Sequence, residues 1–368
     1  MTQTRRENTG TLQRVQRSAL HREDIGTLRN PMVMKWLFLF AGLVAFLVVF
    51  GGFVRLTRSG LSITEWNPIS GTVPPLGEAA WQEEFTKYQA TPEFQQINFD
   101  MTLEEYKYIF YIEWFHRFLA RFAGLAYAIP VFYFLLTKQI PFKDFGIYFL
   151  MGMLFIAQAF AGWIMVASGL VDRPSVSHFN LTIHLLLALA LFGLALWTAF
   201  DHKYGFPDRT KRAKWSRPSR LALISFILLI IQIAYGGMTA GLKAGHVSDT
   251  WPLMFGKLIP PNLFSSLVNL FEAPQTIVFV HRWFAFAVFA AILALYFTTR
   301  KRIESIEIKN GLNWLLSLVI LQITLGILTV IFHVQIALAL AHQAMALGLF
   351  TLIIFFIHRL RACDTLQV

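Results

Sequence analysis

Apolar stretches long enough to cross a roughly 30 Å hydrocarbon core as helices recur along the whole chain. They lie near 33–54, 108–136, 146–167, 179–200, 221–240, 276–298, 312–332 and 336–357. The segments between them alternate in character. Basic residues gather before the first run, at Lys138 and Lys143, from Lys203 to Arg220, at Arg300, Lys301 and Arg302, and at Arg359 and Arg361. By the positive-inside rule these segments face the cytoplasm. The stretch after the first run is long and acidic instead, with Glu65, Glu78, Glu83, Glu84, Glu93 and Asp100, and belongs on the outer side. Within it Trp81, Phe85 and Tyr88 recur at helical spacing, and Pro92 suits a first helical turn, so short interfacial helices are expected there. Thr102 and Glu105 form a capping-box pattern that would start the helix leading into span two.

The pattern repeats. Gly51-Gly52 near the end of span one corresponds to Gly236-Gly237 near the end of span five, and the same offset pairs Arg58 with Lys243, Gly60 with Gly245 and Trp66 with Trp251. His116-Arg117 in span two corresponds to His281-Arg282 in span six, Gln158 and Gly162 in span three to Gln322 and Gly326 in span seven, and His184 in span four to His342 in span eight. Matches kept in one order over four consecutive spans argue for duplication. Each half has an even number of spans, so both enter the membrane in the same direction and their axis should run along its normal. The predicted fold is thus all-α and integral to the membrane: eight transmembrane helices arranged as two pseudo-twofold-related four-helix bundles. Its parts are a basic tail (1–32), an N-terminal half (33–200) with the long outer loop (55–107), a basic linker (201–220), a C-terminal half (221–357) and a tail (358–368).

Composition agrees with a lipid solvent. Of 368 residues 56% are hydrophobic and only 14% charged, and mean hydropathy is +0.54, whereas a soluble domain carries about 25% charge. The net charge of +11 sits between the apolar spans, where it orients the chain and meets anionic lipid, so nucleic-acid binding is not expected. With Cys363 as the one cysteine, neither an internal disulfide nor a thiolate cluster can form, and a redox centre must rely on histidine. The polar, arginine-rich start lacks the apolar core and small-residue cleavage site of a secretory signal. Glu7, Glu23 and Asp24 also speak against a mitochondrial targeting arm. A bacterial inner membrane, with both termini cytoplasmic, is the preferred location over the mitochondrial inner membrane.

Spans two, four, six and eight all run from outside to inside, and their histidines fall at one predicted depth below the outer interface. An intramembrane histidine alone is as often an interhelical hydrogen-bonding residue as a ligand. Four at matched depth favour axial ligation of haem iron between facing helices, pairing His116 with His184 and His281 with His342. Neither half offers the third ligand a tetrahedral zinc site needs. Arg117 and Arg282, with Arg55, Arg58 and Lys243 near the outer mouth, could hold haem propionates or simply anchor helices at the headgroups. The glycines could admit a ring or permit close helix packing, which is the simpler role. His178, His246 and His333 are expected at the outer surface, and His21, His202 and His358 at the inner one. The halves differ at Glu113, one turn before His116, whose counterpart is Val278. That carboxylate and the longer outer loop make the N-terminal half the candidate for catalysis, and the C-terminal half a candidate electron-transfer site.

These residues carry a resemblance to the haem A synthase family, in the segments GGFVRLTRSGLSITEWNPISGTVPP (51–75), EFTKYQATPEFQQIN (84–98), MTLEEYKYIFYIEWFHR (101–117), TAGLKAGHVSDTWPLM (239–254), VHRWF (280–284) and AHQAMAL (341–347). The first outer loop lacks a cysteine pair, like the branch with mitochondrial and proteobacterial members. Asp249 stands where Asn is expected before Thr250-Trp251-Pro252. The resemblance implies oxidation of the C8 methyl of haem O to the formyl group of haem A for terminal oxidases. It implies a haem b cofactor on His281 and His342, the substrate haem on His116 and His184, and Glu113 as the catalytic carboxylate. Expected partners are haem O, the haem O synthase supplying it, an electron acceptor and membrane lipid, and a homo-oligomer is compatible with such a chain. The alternative is a diheme, quinol-linked electron-transfer cytochrome that leaves its haems unchanged.

Overall fold

The computed structural model describes residues 30–67, 69–205 and 214–366. Among them eight helices are long and apolar enough to cross a membrane. They are α1 (Pro31–Leu56), α2 (Leu103–Leu136), α3 (Phe145–Ala167), α4 (His178–Tyr204), α5 (Arg217–Gly241), α6 (Pro274–Arg300), α7 (Ile306–Ile331) and α8 (Ile336–Leu366). Their starts are written locally. The Asn30 side chain accepts from the amides of Met32 and Val33, with Pro31 in the first turn of α1, and Ser177, Ser216 and Ser305 cap α4, α5 and α7 in the same way. Thr102 and Glu105 form the expected capping box at the start of α2.

Three helices outrun the spans read from hydropathy: α2, α7, which begins at Ile306 ahead of the predicted 312, and α8. α2 begins at Leu103, ahead of the predicted 108, because its first turns pack outside the membrane-length apolar run. Tyr106, Ile109 and Phe110 bury themselves there against Trp81, Phe85 and Tyr88. The last three lie on a short outer-loop helix, Glu78–Gln89, which is followed by a second, Pro92–Gln96, capped by Thr91. α8 continues through most of the predicted C-terminal tail. Its extension is held where Asp364 accepts from Ser219 Oγ at 2.7 Å and from the Ser216 amide at 3.2 Å. The predicted basic tail at 1–29 and most of the linker between α4 and α5 lie outside the described residues.

In the N-terminal half α1 packs on α2 and α4, and α3 on α4; in the C-terminal half α5 packs on α6 and α8, and α7 on α8. The halves meet through α4 with α5, α1 with α8, and α4 with α8. Every one of these contacts maps onto another, or onto itself, when α1–α4 are exchanged for α5–α8. Lipid tails are as apolar as leucine, so close approach must come from small residues and polar ties. A Cβ at Gly193 on α4 would stand 3.2 Å from the Phe350 ring on α8. Gln343 on α8 donates to the Val48 carbonyl on α1 at 2.7 Å.

Three histidines expected at the surface are buried instead: His178, His202 and His358. His358 Nε2 lies 3.0 Å from Asp201 Oδ1, joining the inner ends of α8 and α4. His202 Nε2 lies 2.8 Å from the Tyr148 hydroxyl. His178 Nε2 lies 2.9 Å from the Phe271 carbonyl, tying α4 to the outer loop of the other half. Each joins two elements, which the position of a residue along one helix does not reveal. His333 and His246 are exposed, as expected; His21 lies outside the described residues.

Candidate functional site

The four intramembrane histidines each face a glycine on the neighbouring odd-numbered helix. A Cβ at Gly162 would stand 2.8 Å from His184 Cε1, one at Gly236 3.0 Å from His281 Cε1, and one at Gly326 2.9 Å from His342 Cε1. At Gly51 it would stand 3.4 Å from His116, but there the nearest atom is Nε2. These glycines therefore make room for imidazole rings. The second glycine of each pair faces the other half: Gly52 lies against Gln343 of α8, and Gly237 against Thr182 of α4, 2.9 Å from its hydroxyl. Adjacent glycines thus serve an imidazole seat and the contact between halves.

His281 and His342 face each other with ring centroids 6.3 Å apart and planes at 83°. Two imidazoles that each reach an iron between them from about 2 Å need a separation of roughly this size. His281 Nδ1 lies 3.2 Å from the Gln232 carbonyl and His342 Nδ1 3.1 Å from the Gln322 carbonyl. Donation from Nδ1 to a backbone carbonyl leaves Nε2 with the lone pair, the tautomer that a metal takes. The residues present therefore fit a bis-histidine haem. Among the described residues no cluster of three or more His, Cys, Asp or Glu is placed to hold a metal ion, so a tetrahedral zinc site has no donor set.

Glutamines lie beside three of the four rings. The Gln232 amide donates to the His281 carbonyl at 2.9 Å. Gln158 and Gln322 place their amides 3.3 and 3.4 Å from Nε2 of His184 and His342. The Gln158 backbone acts on the His184 ring, whose Nδ1 is buried without a hydrogen-bond partner. The side-chain oxygens of all three glutamines are buried without a hydrogen-bond partner. In the N-terminal half His184 is near enough to act electrostatically on His116, which has the Leu47 carbonyl as its neighbour on α1 and stacks on Phe50 at 6.3 Å and 12°.

Glu113 is only 3% exposed, and four donors converge on it. Ser62 Oγ and the Ile63 amide reach Oε2 at 2.8 and 2.9 Å, and Arg117 Nε and Nη2 reach Oε1 at 3.0 and 2.7 Å. That fills the lone-pair positions of a carboxylate. Arg117 also grips the outer loop through the carbonyls of Ile63, at 2.9 Å, and Glu65, at 3.1 Å. Arg282 does the same in the other half, donating to Ser248 at 2.6 Å and Thr250 at 3.1 Å. Ile63 and Glu65 precede Ser248 and Thr250 by the same offset that separates Arg58 from Lys243. Both guanidinium groups, read from the sequence as possible propionate contacts or helix anchors, point at loop carbonyls; Arg282 Nε keeps no partner.

The other cations gather where the halves meet at the outer end. Arg55 donates to the Ala240 carbonyl at the end of α5. Arg58 and Lys243 both adopt left-handed backbone, φ 53° and 52°, just past α1 and α5, and both act on Glu93. Glu93, one of the acidic residues that mark the loop as outer in the sequence, is only 5% exposed. Burial pushes its carboxyl up to about 7, although Tyr88, Lys243 and Arg58 pull the other way. Burial and Arg58 together lower Lys243. The signal for Gln232 was present in the sequence, because glutamine four residues before glycine occurs at Gln158–Gly162, Gln232–Gly236 and Gln322–Gly326. Burial of Glu93 had no comparable signal.

Residues 34–354 match the model of the COX15-CtaA family, described as cytochrome oxidase assembly protein. A protein of Wolbachia pipientis wMel named heme A synthase is 42% identical over 90% of this chain and 93% of its own length. One of the same name from Flavobacterium psychrophilum is 42% identical over 90% of this chain and 98% of its own. A third, from Mesorhizobium japonicum, is 42% identical over 87% and 88%.

Proposed function

This chain belongs to the COX15-CtaA family of cytochrome oxidase assembly proteins, and from that premise we propose that it is a haem A synthase, an oxidoreductase that converts the C8 methyl of haem O to a formyl group. The observation that carries the reading is an asymmetry between two alike halves. Each has a histidine pair backed by glycines, but one alone adds a buried carboxylate, Glu113, fixed between α2 and the outer loop. Paired imidazoles by themselves would serve an electron carrier equally well; family membership and Glu113 favour the enzyme.

In this reading His281 and His342 hold a haem b, which supplies one-electron transfer when bound. His116 and His184 would hold the substrate haem, and exposed apolar side chains of α2 and α3, such as Phe122 and Ile156, would suit its apolar tail. Glu113 keeps a negative charge at the outer end of that site. Its four donors allow it little movement, so it acts as a preorganised charge that favours the positive charge developing as the substrate methyl loses electrons. A proton-carrying role would first require release of Arg117 or Ser62. Arg55, Arg58 and Lys243 form the cationic mouth suited to propionates, and Arg282 Nε offers one further donor. The net change, one oxygen gained and two hydrogens lost, is a four-electron oxidation; with water as the oxygen source, four electrons pass to an acceptor and four protons are released. The inner membrane of a bacterium, with both termini cytoplasmic, is the setting, with haem O synthase as supplier.

Complementation tests this directly. In a bacterium that makes haem O but lacks its own haem A synthase, expression of this chain should restore a haem-A-dependent terminal oxidase. Good membrane expression without restored oxidase would argue against the reading.

A further inference from the structure

The residue four positions before each histidine-facing glycine is Gln158, Gln232 or Gln322 in three cases and Leu47 in the fourth. The glutamines all contact the histidine opposite. Gln232 is the exact repeat counterpart of Leu47, and it bonds both the ring and the backbone of its histidine. Its amide reaches the His281 carbonyl at 2.9 Å and its own carbonyl the ring Nδ1 at 3.2 Å. Leu47 has no side-chain donor, so only its backbone carbonyl can approach His116. The structure shows a consequence: three rings turn Cε1 toward their glycine, whereas His116 turns Nε2 there. Nε2 is the ring atom nearest the glycine only in His116, at 3.4 Å; in His184, His281 and His342 it stands at 3.6, 3.7 and 3.8 Å, behind Cε1. His281 and His342 make a mutual ring contact, while the aromatic contact of His116 is with Phe50.

We propose that this position sets how firmly the facing histidine is held, and that leucine at 47 makes His116 the displaceable ligand, so that the N-terminal half exchanges its haem while the C-terminal half retains its own. Leu47 and Gln232 are positioning residues in this scheme, acting through His116 and His281. The inference rests on the reading of both histidine pairs as haem sites. An enzyme whose substrate and product are both haems needs one site that lets go, and two otherwise similar halves need a residue that tells them apart.

The test loads the purified protein with haem b and follows its transfer to excess apomyoglobin, with electron paramagnetic resonance of the bound haem recorded in parallel. Wild type should release haem in two phases, the fast one lost in His184→Ala. Gln232→Met, which keeps the volume but removes the donor, should speed the slow phase on the order of tenfold, as loss of one buried hydrogen bond implies, and shift the resonance of that haem. Leu47→Gln should slow the fast phase by a similar factor, which keeps the proposal testable if Gln232→Met does not fold. Two wild-type phases that neither variant moves by more than about twofold would overturn this inference and leave the haem reading intact. A single wild-type phase would likewise overturn it. A wild-type protein with no bis-histidine haem spectrum would overturn the haem reading on which it rests.

Discussion

Glu113 has two roles to separate, because the donors that make it a fixed charge also make it the anchor of the outer loop. Glu113→Gln should retain the C-terminal haem spectrum but slow haem A formation on the order of 10²-fold or more, through loss of preorganised charge. It also leaves Arg117 without its carboxylate, at a cost in stability of about 3 kcal/mol. Ser62→Ala removes one donor at 2.8 Å and loosens the same anchor without changing charge. Conversion rates measured on both variants decide the matter: near-normal turnover in Ser62→Ala supports the charge, whereas equal losses reduce Glu113 to a loop anchor. Glu93 makes a prediction in pH. Its folded carboxyl is raised from 4.5 to about 7, so the folded state holds the proton more tightly than the unfolded chain does. The associated stability is fully present below about 4.5 and is lost as pH rises through about 7. Thermal unfolding of Glu93→Gln should therefore gain on wild type between pH 5 and 8, by roughly 1–3 kcal/mol; parallel profiles would remove the assignment. The sequence marked Glu113 by its place beside His116, but its saturation by Ser62, Ile63 and Arg117 depends on a loop whose path no local pattern gives. The same limit hid the burial of Glu93 and the grip of Arg117 and Arg282 on loop carbonyls.

At the scale of elements the helices were legible because their signals are local. Apolar run length, the Thr102–Glu105 box and the spacing of Trp81, Phe85 and Tyr88 needed no tertiary information. Helix ends were not, since α2 and α8 extend wherever a partner is available, the aromatic cluster outside and Ser216 and Ser219 inside. The burial of His178, His202 and His358 likewise depends on which helices meet. The glycine seats carry the prediction that belongs here. A methyl at Gly326 would stand 2.9 Å from His342 Cε1, whereas one at Gly42 meets nothing within 4 Å. Gly326→Ala should therefore displace the ring and lower haem b content several-fold, and Gly42→Ala should leave it unchanged. Haem content per protein, measured spectroscopically, checks this; equal content in both variants would show that the seat does not govern the ligand.

In the whole molecule the contacts of α1–α4 recur in α5–α8, and α4 and α8 cross between the halves. We infer from this recurrence and from the ordered matches along the chain that the halves arose by duplication. The halves now differ at Glu113 against Val278, in the length of the outer loop, and at Leu47 against Gln232. The orientation follows from charge: cytoplasmic reporters fused after Lys203 or Arg300 should be active and periplasmic reporters there silent, and the opposite pattern would invert the protein in its membrane. The most direct measurement for the molecule as a whole is the mass of the haem it produces. Purified protein supplied with haem O and an electron acceptor, then extracted and analysed by mass spectrometry over time, should yield haem A, with one oxygen gained and two hydrogens lost. Haem O recovered unchanged from a preparation that carries its bis-histidine haem b would contradict the assignment and leave a two-haem electron carrier in its place.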